Sequence, residues 1–285
     1  MKTFDDLIRL ASSKKSKIAV AAAACENVLE ACLLAYEKGL ADFILVGDKE
    51  KIATDKFEII DEKDMMKASE IAVSLVKQGK ASALMKGLVD TSLILKAALN
   101  KETGIRTDKK LSHLAAFELP SYHKLLFMTD AAINIAPNLE EKKAILQNAV
   151  EALNSAGLSP KVALLAAKEK VDPKMPVTLE YEEIISSHKN GFLPKAIIEG
   201  PLALDNAVSK EACEIKGIKT EIGGNTDLLF APNIESGNVL YKSLAFLANA
   251  KTGGVVLGAA RPIILTSRAD STESKLLSIA LSLVF

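Results

Sequence analysis

A polar segment near the end of the chain, residues 267–275, carries the side chains best suited to bind an anion. Ser267 and Arg268 directly follow a short apolar run, and Asp270 and Glu273 have the three-residue spacing of a capping box at a helix start. A hydroxyl, a guanidinium and the free N–H groups of a helix amino terminus together make an anion site. A capped surface turn with an incidental arginine has the same pattern, so the rest of the chain must decide.

Two elements must hold this segment in place. The apolar run 262–265 predicts a strand, which puts Ser267 and Arg268 where that strand ends. Beyond the segment, apolar residues recur at the spacing of a buried helix face, and we expect the helix to begin near Asp270. The apolar residues of this face are Leu276, Leu277, Ala280, Leu281 and Val284.

A second polar segment, residues 86–92, follows the apolar run 83–85 and precedes a predicted helix. Lys86 would stand at the strand end, and Gly87 would let the backbone approach a ligand closely. Thr91 or Ser92 would cap the helix and direct its N–H groups toward an anion. Ligands of open α/β sheets bind beyond the carboxyl ends of the strands, so we favour a binding role over an ordinary turn.

Composition limits the possible partners. The chain has 285 residues, 49% of them hydrophobic, and its 36 basic residues equal its 36 acidic ones, so no overall field attracts nucleic acid or an anionic membrane. Cys25, Cys32 and Cys213 lack the spacing of a metal site, and we expect the first two to be packing residues. With no signal peptide or membrane-length apolar run, we expect a soluble cytoplasmic protein.

Apolar runs alternate with amphipathic stretches along the whole chain. Strands are predicted at 18–24, 43–46 and 83–85, with helices at 26–38 and 63–78 between them. This alternation predicts an α/β protein with a parallel sheet covered on both faces.

The middle of the chain predicts a second α/β unit. A capped helix opens at Asn138 and Glu141 and ends at Gly157, and further strands follow it. Strand counting puts a boundary near residues 115–126, and the terminal strand and helix could return to either unit.

Common catalytic signatures are absent. The sequence contains no GxxxxGK[ST], no GxGxxG after its first strand, no GxSxG and no HExxH, which disfavours a P-loop enzyme, a dinucleotide site, a hydrolase nucleophile and a metal site. His113 stands among apolar residues and is interpreted as a core residue. Polar loops at strand ends remain, with Lys86, Arg261, Ser267 and Arg268, and they suit a small molecule that bears phosphate.

The chain resembles the phosphate acetyl/butyryltransferase family over its full length, and within it the butyryl-transferring members most. Four stretches in the same order carry the resemblance. They are 85–92 (MKGLVDTS), 199–205 (EGPLALD), 233–242 (NIESGN followed by Tyr241 and Lys242) and 258–268 (GAARP, then TSR).

The resemblance implies an activity and a fold. Members pass an acyl group directly between coenzyme A and inorganic phosphate in a ternary complex, with coenzyme A as substrate and neither cofactor nor metal. The family fold has two three-layer α/β/α domains, similar to isocitrate and isopropylmalate dehydrogenases, with the active site in the interdomain cleft. In this chain it implies one domain of residues 1–118 with 262–285, a second of 119–261, and assembly as a dimer or a multiple of dimers.

The resemblance also assigns roles. Arg268 and Ser267 would hold phosphate, but the acidic residue that acetyl-specific relatives carry seven positions after this serine is Ser274 here. Glu273 is then the candidate base, although it and Asp270 could instead cap the helix. Lys96 would contact the pyrophosphate of coenzyme A or cover a helix face. The predicted substrate-binding residues are Lys86, Gly87, Thr91, Ser92, Lys96, Arg106, Arg261 and Asp270.

Other functions remain open at this point. A phosphate acetyltransferase fits the same motifs, and a non-catalytic module that binds coenzyme A would account for the missing acid. A dehydrogenase of the same fold is a weaker third alternative, because no cluster of metal-binding carboxylates is visible.

Overall fold

The structure is a computed structural model that describes residues 1–13, 16–267 and 270–285. The chain divides into two compact units: residues 4–111 with 251–285, here the N-terminal unit, and residues 1–3 with 112–250, here the central unit. The predicted divisions, after residues 118 and 261, lie several residues later. Among the described residues, no helix has both the length and the apolar content to cross a membrane.

The first part of the chain alternates helices and strands. In order, the elements are α1 (Phe4–Ser12), β1 (Lys17–Ala21), α2 (Glu26–Glu37), β2 (Asp42–Gly47), β3 (Glu58–Asp61), α3 (Met65–Lys77), β4 (Ala83–Lys86) and α4 (Thr91–Ala98). The predicted strands and helices of this region are confirmed to within a few residues. β3 was not predicted, because it is short and its two end residues are acidic and exposed.

The central unit follows the same principle. Its elements are β5 (Ser112–Glu118), β6 (Leu126–Thr129), α5 (Leu139–Ser155), β7 (Lys161–Leu165), α6 (Pro176–Lys189), β8 (Ile197–Leu202), α7 (Leu204–Val208), α8 (Lys210–Lys216), β9 (Leu228–Phe230), α9 (Ile234–Lys242) and a π-helical segment, Ser243–Leu247. The predicted capping box of α5 is confirmed, since Asn138 and Glu141 each accept a backbone N–H from the other at 3.0 Å. The helix ends before Gly157, whose φ is 78°.

The chain closes with β10 (Lys251–Leu257), β11 (Ile263–Ile264) and α10 (Thr272–Val284). The sheet of the N-terminal unit has the order β3-β2-β1-β4-β11-β10, and that of the central unit β5-β6-β9-β7-β8. The α/β class is confirmed. The strands from which a parallel sheet was predicted, β1, β2 and β4, do pair in parallel. The sheets are mixed, however, because β10 runs antiparallel to β11 and β5 to β6. Both pairs are joined by short loops, which are too short for a parallel crossover.

Helix α10 is the buried centre of the N-terminal unit. It packs against α1, α2 and β10, and every residue from 275 to 284 is buried. A helix that is apolar on all sides belongs in a core. Its predicted cap was wrong by one residue: the cap is Ser271, whose Oγ accepts the N–H of Ser274 at 3.1 Å. The Asp270 carboxylate instead accepts the N–H of Ser267.

Replacing the cap of α5 tests the account of the central unit. We expect Asn138→Ala to lower the free energy of unfolding by about 1 kcal/mol, because it leaves a helix N–H without its acceptor. Urea unfolding followed by circular dichroism measures this loss. The control is Glu140→Ala on the same turn, whose exposed ion pair with Lys143 is worth about 0–1 kcal/mol. An Asn138→Ala loss no larger than that of the control would contradict the cap.

Candidate active site

Three parallel strands of the N-terminal unit end at the same edge of its sheet. Ala21 of β1 pairs with Lys86 of β4, and Met85 of β4 pairs with Ile264 of β11. A cavity of about 180 Å³ lies at this edge, where an α/β sheet binds its ligands. Its lining includes Cys25, Lys86, Gly87, Thr266, Ser267 and Lys275. The structure therefore brings both predicted polar segments to one place.

Gly87 lets the loop after β4 lie against the end of β1. Its N–H donates to the carbonyl of Ala21 at 2.8 Å, and the N–H of Leu88 donates to the carbonyl of Ala22 at 2.7 Å. A Cβ at position 87 would stand 2.2 Å from the Ala22 oxygen, so only glycine fits without moving backbone. The close approach predicted for Gly87 is real, and its nearest neighbour is the protein's own backbone.

Lys86 and Ser267 are held by short-range hydrogen bonds. Lys86 is 6% exposed, and its ammonium donates to the carbonyls of Gly87 and Val89 at 3.3 and 3.2 Å. The Ser267 N–H donates to Asp270 Oδ2 at 2.7 Å, and the Asp270 N–H donates back to the Ser267 carbonyl at 3.2 Å. Asp270 thus shapes the turn that presents Ser267. Arg268 lies outside the described residues.

Two further groups in the cavity are polar and buried. Lys275, in the first turn of α10, is 2% exposed, and its ammonium donates to the carbonyl of Asp270. None of the described carboxylates forms an ion pair with it. The Oγ1 of Thr266 is buried and has no hydrogen-bond partner among the described residues. A buried positive charge and a hydroxyl without a partner among the described residues, both lining one cavity, favour a small anion.

Glu273, the candidate base, lies on the outer side of α10. Its carboxylate pairs with Lys251 at 3.1 Å, and 55% of its side chain is exposed. It is absent from the described lining of the cavity. Since the helix cap is Ser271, Glu273 serves neither as cap nor at the cavity, and its catalytic role stays a prediction.

The remaining predicted residues lie on the surface of the N-terminal unit. Thr91 and Ser92 are the first residues of α4 rather than its cap, which is Asp90, one residue earlier. Their side chains are exposed, as are Lys96 on α4 and the two arginines. Arg106 lies between α4 and β5, and Arg261 lies just before β11. The described residues of the cavity wall include none of these five, so their contacts with substrate stay predictions.

Sequence analysis missed three of the cavity residues. Cys25 was interpreted as packing, but it is the half-exposed cap residue of α2 at the cavity wall. For Cys32 the packing interpretation is confirmed, because the residue is fully buried. This burial also raises the pKa of its thiol. The sequence does contain a signal for Lys275, since it is a charged residue in a segment whose following residues are mostly apolar. Thr266 was seen only as part of a motif.

The central unit has larger cavities, but their lining is less suited to an anion. The cavity along α6 measures about 590 Å³ and is lined in part by Glu182, Glu183 and Lys189. Carboxylates repel an anionic ligand. Among the described residues, no three His, Cys, Asp or Glu side chains are grouped so that they could hold a metal ion.

The motif that begins at Asn233 has a structural explanation. The Asn233 side chain caps α9 by accepting the N–H of Ser236 at 3.0 Å. A Cβ at Gly237 would meet the Asp130 carbonyl at 2.4 Å, and Asn238 Nδ2 donates to the Ala131 carbonyl at 3.1 Å. These residues fix α9 against the loop that follows β6.

Comparison with known proteins agrees with these motifs. The family model described as phosphate acetyl/butaryl transferase matches residues 56–283. A phosphate butyryltransferase of Clostridium acetobutylicum is 44% identical over 99% of this chain and 97% of its own length. A phosphate acetyltransferase of Thermotoga maritima is 39% identical over 99% of both chains.

Solved structures give the same result. The chain is similar to a branched-chain phosphotransacylase from Enterococcus faecalis V583, with a TM-score of 0.89 and 36% identity. The match covers 94% of this chain and 98% of that one. Fold and sequence therefore agree over nearly the whole length.

The Cys25 thiol offers a test of the cavity. Cys32 and Cys213 are buried, so we expect iodoacetamide to label Cys25 first in the native protein. Inorganic phosphate bound at the cavity should slow this labelling severalfold, because it covers the thiol. Mass spectrometry of the labelled peptides measures the rate, with chloride at equal ionic strength as control and Cys25→Ser to identify the fast site. Equal rates in phosphate and chloride would argue against an anion at this cavity.

Proposed function

Because the chain belongs to the phosphate acetyl/butaryl transferase family, we propose that it transfers a short acyl group, preferably butyryl, between coenzyme A and inorganic phosphate. The observation that carries the proposal is the cavity at the carboxyl ends of β4 and β11. Two stretches that resemble the family, at Lys86-Gly87 and Thr266-Ser267, meet there around a positively charged interior. The cavity is large enough for a small anion such as phosphate, and coenzyme A would bind outside it.

The chemistry places specific demands on these residues. A phosphate oxygen attacks the thioester carbonyl, the C–O bond forms, the C–S bond breaks, and the thiolate of coenzyme A leaves. HPO₄²⁻ loses the single proton that the thiolate gains, so the overall reaction balances without a proton from the protein. Ser267 and the cavity cations would orient phosphate and offset its charge, and Arg268 would bind it in a fork, as the resemblance implies.

Because the proton that phosphate loses is the one that the thiolate gains, the reaction does not require the acidic residue that acetyl-specific relatives carry at the position of Ser274. A carboxylate base would speed the proton transfer, and Glu273 is the residue near it in sequence that could serve. Positioning and charge still supply most of what the reaction needs, so the proposal does not depend on a base at this position. Coenzyme A enters as a substrate, and the proposal includes neither a bound cofactor nor a metal.

A phosphate acetyltransferase is the second candidate, supported by the Thermotoga maritima relative. One methylene changes discrimination in an apolar pocket by about 1–3 kcal/mol, so the acyl preference must be measured. Rates from acetyl- to hexanoyl-CoA decide between the two: a maximum of kcat/KM at butyryl-CoA supports the proposal, and a maximum at acetyl-CoA replaces it.

The proposed reaction is tested by following free thiol from butyryl-CoA with and without phosphate. We expect thiol release that requires phosphate, about 10²-fold lower kcat in Ser267→Ala, and a sharply raised phosphate KM in Arg268→Ala. Arg9→Ala, an exposed arginine of α1 paired with Asp6, is the matched control and should leave both constants unchanged. Absence of phosphate-dependent release with every acyl-CoA from acetyl to hexanoyl would refute the reaction, and coenzyme A binding without turnover would select a non-catalytic module.

We also propose that the chain assembles as a homodimer or a multiple of dimers. Large apolar side chains are exposed along α9 and the π-helical segment that continues it, where Val239 is 66%, Phe246 70% and Leu247 82% exposed. Several exposed apolar side chains of this size within one short stretch are typical of an interface, and a second copy of the chain is the partner that the family resemblance supports.

Light scattering after size-exclusion chromatography tests the assembly. We expect a mass of at least twice the 30.4 kDa of one chain, and a single-chain mass for the double variant Phe246→Glu, Leu247→Glu. Ile215→Glu on α8 is the control, because this side chain is also largely exposed, at 78%, but lies on another helix. A monomeric wild type would contradict the dimer, and an unchanged double variant would exclude this surface.

We further propose a cytoplasmic location, where coenzyme A thioesters and the three unpaired cysteines would be stable. Recovery of the expressed protein in a membrane or secreted fraction would contradict this.

A further inference from the structure

Lys275 is a buried charge that forms no ion pair with any of the described residues. The residue is 98% buried, on a helix that packs against α1, α2 and β10, and its ammonium donates to the carbonyl of Asp270. Every Asp and Glu of the chain is among the described residues, and none forms an ion pair with it. Moving an ammonium out of water carries a large desolvation penalty, which a single peptide carbonyl offsets only in part.

The carbonyl contact does not by itself explain the burial. Lys77 at the end of α3 makes the same kind of bond, from its ammonium to the Glu102 carbonyl, and it does so at the exposed surface. A lysine that only caps a carbonyl can therefore remain solvated. Lys275 differs from Lys77 in lining a cavity.

The other groups of the cavity point to what would neutralise this charge. Its described lining has two lysines, Lys86 and Lys275, and no carboxylate. The buried Oγ1 of Thr266 has no partner among the described residues, so a donor without an acceptor lines the same space. The amino terminus of the twelve-residue helix α2, at Cys25, also reaches the cavity wall and adds a positive dipole end. These features all stabilise negative charge.

We propose that Lys275 binds the phosphate of the acyl-transfer reaction, as a buried cation in the first turn of α10 that acts together with Lys86. The assignment rests on the proposed function for the identity of the anion. Ser274 stands where acetyl-specific relatives carry an acid, and in this arrangement the next residue, Lys275, supplies positive charge to the cavity. The Lys275 ammonium offsets the negative charge of the phosphate dianion on binding, and it holds the phosphate oxygens beside Ser267.

Phosphate binding tests the assignment separately from turnover. Isothermal titration with inorganic phosphate should give a Kd about 10- to 100-fold weaker for Lys275→Met and Lys275→Gln than for the wild type, the loss expected for one charge-assisted hydrogen bond. Lys77→Met is the matched control, because it removes an ammonium and the same kind of carbonyl contact outside the cavity. Its Kd should stay within about twofold of the wild type.

Thermal unfolding separates a binding role from a structural one. Removing a buried charge that lacks a counter-ion should leave the phosphate-free Tm of Lys275→Met equal to or above that of the wild type, while the rise in Tm with phosphate is lost. A lowered phosphate-free Tm with an unchanged phosphate Kd would mean a structural lysine and would overturn the proposal. If Lys275→Met does not fold, Lys275→Gln keeps a donor for the Asp270 carbonyl, and a wild-type Kd in that variant also overturns it.

Kinetics distinguish this proposal from the acyltransferase proposal. We expect the phosphate KM of Lys275→Gln to rise by the same factor as its Kd, with a change of less than about twofold in the KM for butyryl-CoA. If the wild type is active and the variant has an unaltered phosphate KM, the role of Lys275 is refuted and the acyltransferase proposal stands. Phosphate binding that depends on Lys275 in a wild type without thiol release refutes the acyltransferase and leaves the phosphate site standing.

Discussion

Burying an ammonium group without a counter-ion costs free energy, and among the described residues Lys275 has only the carbonyl of Asp270 as an acceptor. Lys275 lies near the carboxyl ends of the central parallel strands of the N-terminal unit, where Lys86 is also buried. In the proposed assignment the cavity is an anion site whose empty state is electrostatically unfavourable, and the elements around it hold its shape.

Three features maintain the cavity. The all-round burial of α10 prevents the Lys275 side chain from turning outward to water. Gly87 brings the β4 loop onto the end of β1 at a distance that no Cβ would allow, which fixes the backbone on either side of Lys86. The paired hydrogen bonds between Ser267 and Asp270 shape the turn between β11 and α10. Each feature acts through contacts between residues of the protein itself.

Local patterns predicted those parts of the fold that local physics determines. The capping box at Asn138 and the strand ending at Lys86 follow from nearby residues, and the structure confirms both. The cap of α10 was predicted one residue too early, because Asp270 with Glu273 and Ser271 with Ser274 have the same spacing, and only the fold selects the second pair. The burial of Lys275 depends on α1, α2 and β10, which are distant in sequence, so no window around the residue could reveal it.

The most direct measurement of the central claim is a crystal structure with arsenate, an isostere of phosphate whose arsenic can be located by anomalous scattering. The account predicts one arsenic peak inside the cavity, with oxygens within hydrogen-bond distance of the Lys275 ammonium and the Ser267 side chain. Arsenate bound only outside the cavity, with water between Lys86 and Lys275, would contradict it.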